Sequence, residues 1–404
     1  MNLNEKINEF SGKNVLLLQG PVGNFFNKFA KILVKKKKNN IKVFKLNFNG
    51  GDFFFYPFNA SKYKGKLRNF KDFFKNYCAQ NQIDIIICYN DCRPLHAIAI
   101  RLARQMDIEV FVFEEGYLRP NFITLEKNGV NANSKMPRNA SFYLNYTPKN
   151  LDEKIKNING AFKFMGFFAF LYWLFAFLLA PFYNNALHHR KLNPLECLYW
   201  ARSLYRKIYY KRSEKGIKDE ILKSKGGYFV AILQVFNDTQ ISKHYKGGSI
   251  ENFITQTLKS FAGYARDKHS LVFKHHPMDR GYKNYSALIK ERAKALGIED
   301  RVFYIHNFHL PTLFSNALGC VTINSTAGLS ALYHKCALKV VGAAFYDFAG
   351  LTYQGDLNFF WKEAHANKPN YMLYKKFIDY LLDTNQINAN YYKNSAFFKE
   401  LSNS

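Results

Sequence analysis

The sequence is short of acid. Its 404 residues hold 30 Asp and Glu against 58 Lys and Arg, a formal charge of +28. That imbalance points to an anionic partner: nucleic acid, a lipid surface or a phosphorylated substrate. Cysteine is scarce as well. The six residues at 78, 88, 92, 197, 320 and 336 form no CxxC pair, and no second cluster stands ready to complete a zinc site. Most sit in apolar runs, as small buried thiols do in a reducing compartment. The opening stretch MNLNEKINEFSGKN lacks the apolar core of a secretion signal, so a cytosolic protein is expected. Two nucleotide fingerprints are missing: without GK[ST] an ATPase is disfavoured, and without GxGxxG a dinucleotide site is weakened. Basic runs such as KKKK at 35–38 belong to no nucleic-acid-binding motif, so no nucleic acid is expected as partner.

What is present is a core. Hydrophobic residues make up 48% and charged residues 22%, which excludes a mainly disordered chain. Apolar runs at 15–20, 41–49, 83–90 and 108–116 read as strands, with helical segments at 24–36, 67–82 and 94–106. The rhythm restarts with strands at 227–236, 270–276, 301–307, 319–324 and 338–342, separated by helical segments at 250–266, 284–296, 310–317 and 326–335. Short, wholly apolar strands alternating with helices predict parallel sheets covered on both faces. The fold class is α/β, with two Rossmann-like domains and a ligand cleft expected between them. The expected boundaries are 1–150, 151–225, 226–370 and a helical tail at 371–404.

Between the halves, FMGFFAFLYWLFAFLLAPFY at 164–183 has no charged residue. Its length and apolarity qualify it as a membrane span, but a span would place the two halves on opposite sides of the membrane. Gly166 and Pro181 are expected to break a helix near either end, and the many aromatics favour the interfacial layer. Lys154, Lys156 and Lys163 precede the segment, and His188, His189, Arg190 and Lys191 follow it. Such flanks suit an in-plane anchor on an anionic cytoplasmic leaflet; a span, a buried core helix or an oligomer interface are the alternatives. The basic, Tyr-rich stretch at 197–212 is expected to form an amphipathic helix beside it.

Five places can carry chemistry. In QGPVGNFF at 19–26, Gly20 and Gly23 leave room for a ligand at a helix N-terminus, although a plain strand–helix turn has the same form. FEEGYLRP at 113–120 ends a strand in two carboxylates. Glu114 and Glu115 cost free energy there unless one faces a cleft or the two share a proton, and such a group can act as general base or nucleophile. Arg119 can grip a carboxylate substrate in bidentate fashion. In FKHHPMDRG at 273–281, Pro277 holds His276 for donation to a phosphate, with Lys274 and Arg280 as further cations. Only Asp279 could add a ligand there, so no metal is expected. In TINSTAGLSAL at 322–332, Ser325 and Thr326 form either an anion cradle or an ordinary helix cap. Gln234, Asp238 and Gln240 at another strand end suit a base or a sugar.

In their order, EEG, HP and ST resemble the three short motifs of bacterial two-domain transferases that use CMP-activated nonulosonic or octulosonic acids. EEGYLRP, KHHP and NSTAGLSAL are in detail similar to capsule polysaccharide synthesis proteins of the KpsS type, over residues 14–360. The resemblance implies a GT-B fold with a hydrophobic membrane-associating insertion. It also implies a retaining β-Kdo transferase that uses CMP-Kdo, without cofactor or metal, to place the first Kdo on a lyso-phosphatidylglycerol acceptor. Glu115 falls on the catalytic acidic position with Glu114 beside it, His276 and Pro277 on the HP motif, and Ser325 and Thr326 on the phosphate-binding motif. Nucleophile and base stay open as roles, as does the choice between the two glutamates. The implied partners are a CMP-sugar, a phospholipid acceptor and other capsule assembly proteins. The implied location is cytoplasmic and peripheral, monotopic on the inner membrane. A sialyltransferase using CMP-sialic acid and a non-catalytic capsule assembly or export scaffold are the alternatives.

Overall fold

The computed structural model describes residues 1–36, 39–149, 155–183, 187, 196–224 and 227–403. Twelve strands are described in chain order. They are β1 (Asn14–Leu17), β2 (Lys42–Asn47), β3 (Ser61–Lys62), β4 (Ile85–Tyr89), β5 (Glu109–Glu115), β6 (Ile123–Lys127), β7 (Tyr228–Ile232), β8 (Ser270–Lys274), β9 (Val302–Ile305), β10 (Gly319–Thr322), β11 (Ala337–Val340) and β12 (Gln386–Ile387). The chain divides into two compact units: Met1–Lys135 with Pro148–Pro194 and Leu381–Ser404, and Met136–Thr147 with Leu195–Tyr380. The stretch read as a separate tail at 371–404 is therefore divided, its last part returning to the first unit.

The sheet of the first unit runs β12-β6-β5-β4-β1-β2-β3, parallel from β5 to β3, with β6 antiparallel to both its neighbours, β5 and β12. The apolar runs are buried on both faces. Val15 and Leu17 of β1 pack with Phe25, Phe29 and Phe113, while Leu16 and Leu18 pack with Phe70, Cys88 and Val112. Each such side chain contributes about 1.5–3 kcal/mol of burial. The helix expected at 24–36 spans Phe25–Lys35 and turns Phe25, Phe29 and Leu33 inward, one face at helical spacing. The sheet of the second unit, β11-β10-β7-β8-β9, is wholly parallel. In each unit the first strand lies between the second and the fourth, which is Rossmann order. Two Rossmann-like units in one chain are the composition of the GT-B class.

The apolar segment forms one continuous helix, Ala161–Leu178. Among the described residues it is the one helix long and apolar enough to cross a membrane. Gly166 does not break it, because a single interior glycine costs only about 1 kcal/mol relative to alanine. Pro181 does end it: lacking an N–H, it sits in a 3-10 turn, Ala180–Phe182. Of the helix side chains only Tyr172 and Ala176 are buried, whereas Phe162, Phe167, Phe170, Phe177 and Leu178 are exposed. The helix docks on a second one, Gly50–Phe55, where glycine is required by close approach. A Cβ at Gly51 would stand 2.7 Å from the Tyr172 carbonyl oxygen, and one at Gly50 would collide with the Phe175 carbonyl. Phe54 stacks on Phe175 with ring centroids 3.7 Å apart.

Of the expected basic flanks, Lys163 is exposed and Lys156 pairs with Glu400 at 2.7 Å. Lys154, His188, His189, Arg190 and Lys191 lie outside the described residues. The basic helix spans Glu196–Ser213 and belongs to the second unit, where Arg202 donates to the Gly281 carbonyl at 2.6 Å and Arg206 to that of Arg280 at 2.8 Å. Those bonds tie it to the loop beyond β8.

Candidate functional site

In Rossmann-like sheets ligands bind beyond the carboxyl ends of the strands, where the strand order reverses. In the first unit that point lies between β1 and β4. The β4 end supplies Tyr89, Asn90 and Arg93. Arg93 donates to the Gln19 side-chain oxygen at 3.1 Å and to the Gly20 carbonyl at 3.2 Å, and lies 4.9 Å from the Tyr89 ring centre. Gln19 in turn donates to Asp52 at 3.2 Å. Gly20 and Gly23 line a shallow, open depression with Lys45, Asp52 and Tyr172. Gly23 needs to be glycine, since its φ of 109° is one that other residues rarely adopt.

The two glutamates end β5 as expected, but they do not share a proton. Strand alternation sends them to opposite faces: Val110 and Val112 pack with one core, Phe111 and Phe113 with the other. Glu114 is 8% exposed. It accepts from Asn90 Nδ2 at 2.9 Å, Asn131 Nδ2 at 3.2 Å and the Glu115 backbone N–H at 2.9 Å. Burial pushes its carboxyl up to about 7, against the Glu115 N–H, which pulls it down; the charge of Glu115 adds to the rise. Glu115 is half-buried, and its Oε1 accepts from the Tyr89 hydroxyl at 3.2 Å and the Tyr392 hydroxyl at 3.4 Å. Glu114 thus braces the loops beyond β4 and β6, while Glu115 stands among hydroxyls at the strand end. Arg119 is exposed, and its Nε donates to the Gly116 carbonyl at 3.3 Å.

In the second unit the order reverses between β7 and β10. Gln234 beyond β7 and Asn324 beyond β10 bond reciprocally: Gln234 Nε2 donates to Asn324 Oδ1 at 2.9 Å, and the Asn324 N–H donates to Gln234 Oε1 at 3.1 Å. Asp238 lies within 3.5 Å of Gln234 Nε2. Ser325 Oγ accepts from the Ala327 N–H at 3.2 Å, whereas Thr326 makes no side-chain cap bond to the helix Ala327–Tyr333. His276 Nδ1 accepts from the Met278 N–H at 3.2 Å across the Pro277 turn, which puts the imidazole proton of a neutral ring on Nε2.

Lys274, expected to bind an anion, is instead buried, and its ammonium donates to the His275 and His306 carbonyls at 2.9 and 2.7 Å. Burial lowers its pKa to about 8. Arg280 is buried too, which lowers its pKa. Beside them His306 Nδ1 meets Glu214 Oε1 at 2.7 Å, and the Tyr210 ring stacks on His306 at 3.6 Å. Burial holds His306 below its usual pKa, against the Glu214 carboxylate, which raises it.

The family described as capsule polysaccharide biosynthesis protein matches residues 84–392. The chain belongs to that family. Capsule polysaccharide export protein KpsS of Escherichia coli is 40% identical over 95% of this chain and 97% of its own. Capsule polysaccharide modification protein LipB of Neisseria meningitidis serogroup B is 39% identical over 98% of this chain and 95% of its own. Among solved structures, Thermosulfurimonas dismutans KpsC, beta Kdo 2,7 transferase, has 13% identity and a TM-score of 0.44, covering 96% of this chain and 98% of that one. In this capsule polysaccharide biosynthesis protein the matched span opens just before β4 and closes on Tyr392, so it takes in both glutamates, His276–Pro277 and Ser325–Thr326.

Several residues at these sites were not singled out from the sequence. Tyr89, Asn90 and Arg93 were within reach, since they follow an expected strand at its carboxyl end. Tyr391 and Tyr392 were not: Tyr391 reaches the Glu114 carbonyl at 2.7 Å across a separation of 277 residues. Glu214 and His306 likewise meet only through the fold. Gln240 was named from the sequence, but its side chain lies outside the described residues. Among the described residues no three His, Cys, Asp or Glu side chains group as a metal site.

Proposed function

We propose that the protein is a retaining glycosyltransferase that moves Kdo from CMP-Kdo onto lyso-phosphatidylglycerol at the cytoplasmic face of the inner membrane. The observation that carries this reading is Glu115, a half-buried carboxylate at the end of β5, held by two tyrosine hydroxyls and backed by a fully bonded Glu114. A carboxylate so placed suits a nucleophile, with Glu114 as its positioning residue. Glu115 attacks the anomeric carbon as CMP departs with the bonding electron pair. An acceptor hydroxyl then displaces the carboxylate, its proton passing to solvent water, and two inversions give net retention. His276 and the Ser325–Thr326 turn bind the CMP phosphate, and Gln234 with Asp238 its nucleoside. Arg119 grips the Kdo carboxylate. None of these steps calls for a metal. The exposed apolar helix Ala161–Leu178 lies in the membrane interface, its aromatics at headgroup depth.

The test is the product mass after incubating purified protein with CMP-Kdo and lyso-phosphatidylglycerol. The expected gain is one Kdo, and Glu115→Gln lowers kcat on the order of 10³-fold. Transfer from CMP-sialic acid alone, or an undiminished Glu115→Gln variant, overturns the reading.

A further inference from the structure

The depression beside Gly20 and Gly23 holds a cation that the reaction above does not use. Lys45, on β2, is 3% exposed and lines it. Among the described residues its ammonium has one hydrogen-bond acceptor, the neighbouring Leu46 carbonyl, for three N–H donors. Among the described residues no carboxylate lies within salt-bridge distance of it, although the charge of Asp52 raises its pKa and the Tyr56 ring centre lies 5.7 Å from the ammonium. Asp52 is on the same wall, but its oxygens already accept from Gln19 at 3.2 Å, the Phe48 N–H at 3.0 Å and the Tyr172 hydroxyl at 2.9 Å. A buried charge with so few partners is costly, and an anion at the ammonium removes that cost.

Two further features favour an anion. The turn through Gly20 and Gly23 leads into the 11-residue helix Phe25–Lys35, whose first N–H groups and dipole attract negative charge. Burial also lowers Lys45 to about 8, which leaves it protonated at neutral pH and ready to gain from a partner. The source of the anion is indicated by the wall opposite. Tyr172 comes from the apolar helix, whose Phe167, Phe170 and Phe177 are exposed within two turns of it. A ligand with a phosphate at one end and an acyl chain at the other fits both features.

We infer that this depression is a phosphate site for a glycerophospholipid headgroup, with Lys45 as its cation and the apolar helix beside the acyl chain. The inference deepens the acceptor reading above and rests on it for the direction of transfer, not for binding.

Binding of lyso-phosphatidylglycerol, glycerol 3-phosphate, inorganic phosphate and a monoacylglycerol of equal chain length is measured on the full-length protein. Lyso-phosphatidylglycerol is expected to bind at least tenfold more tightly than the monoacylglycerol, which lacks the phosphate. Lys45→Met is expected to abolish that advantage while CMP binding is kept. Glycerol 3-phosphate or inorganic phosphate binding as tightly as the lysolipid, with the same dependence on Lys45, reassigns the site to a free phosphate and overturns the lipid source. Equal binding of the lysolipid and the monoacylglycerol to wild type overturns the phosphate site without recourse to any variant, as does Lys45→Met binding the lysolipid like wild type. If the lysolipid binds through Lys45 and no Kdo is transferred, the site stands and the transferase reading fails. If Kdo is transferred and Lys45 is indifferent, the reverse holds.

Discussion

The Tyr172 hydroxyl donates to Asp52 Oδ1 at 2.9 Å, across 120 residues of chain. That bond joins the apolar helix to the loops at the carboxyl end of the first sheet. Asn49 Nδ2 donates to the same hydroxyl at 2.8 Å, and Gln19, which also reaches Asp52, accepts from Arg93. Arg93 lies over the ring of Tyr89, and Tyr89 donates to Glu115. A continuous polar chain thus runs from the exposed apolar helix to the carboxylate proposed to react.

Tyr172→Phe tests the first link. The ring and its packing stay, while Asn49 loses its acceptor and Asp52 one of its donors. A buried polar group left unpaired costs about 1–3 kcal/mol, and a loss of that size is expected in chemical denaturation. An unchanged unfolding free energy would show that the hydroxyl contributes nothing net.

Docking and membrane contact are separable on the same helix. Replacing exposed Phe167, Phe170 and Phe177 by serine is expected to change stability by no more than about 0.5 kcal/mol each. The same variant should cosediment far less with vesicles containing anionic lipid. Gly51→Ala does the opposite. Its Cβ meets the Tyr172 carbonyl at 2.7 Å and forces the helices apart, at about 1–3 kcal/mol, while the exposed aromatics remain. If the serine variant still pelleted like wild type, another surface would be the anchor.

Much of this was legible in the sequence, and the exceptions have a physical pattern. Parallel strands such as β4 and β8 are uninterrupted apolar runs because both faces are buried, so they were readable within a residue or two. β6 and β12 were not, since an antiparallel edge containing Thr124 and Gln386 carries no such run. The motif carboxylates were found because a charge at the end of an apolar strand is conspicuous. Their partners Asn90, Asn131 and Tyr392 are ordinary residues until the fold brings them near. Lys274 misled for the converse reason: a cation beside a histidine looks like an anion site, and only the structure shows its donors directed at two carbonyls.

Two buried carboxyls predict how stability varies with pH. Burial raises both Glu114 and Glu126 to about 7. Glu126 accepts from Ser134 Oγ and, at 3.2 Å, from Asn385 Nδ2. Unfolded, a glutamate titrates near 4.3, so between the two values the native state holds protons that the unfolded chain has released. Their contribution is complete below about pH 4 and is lost as pH rises through 7, with a slope of up to about 1.4 kcal/mol per pH unit for each group. Denaturation at pH 5 and pH 8 should therefore show a smaller difference for Glu114→Gln and for Glu126→Gln than for wild type. An unaltered difference in the double variant would mean that neither carboxyl binds its proton in this range.

The Gln234–Asn324 pair makes the last prediction, on the donor side. Its two bonds lock the loop beyond β7 to the loop that carries Ser325 and Thr326. Gln234→Ala removes both and leaves the Asn324 N–H unpaired, so the Ser325–Thr326 turn must be ordered when a ligand arrives. Gln234→Glu keeps an acceptor for that N–H but loses the donor to Asn324 Oδ1, placing a carboxylate against it instead. Loss of about 1.4 kcal/mol corresponds to tenfold weaker binding. Titration with CMP should show about that loss for Gln234→Ala, at least as much for Gln234→Glu, and little change for Tyr172→Phe. CMP affinity undiminished in both Gln234 variants would place the donor nucleotide elsewhere than this strand-order reversal.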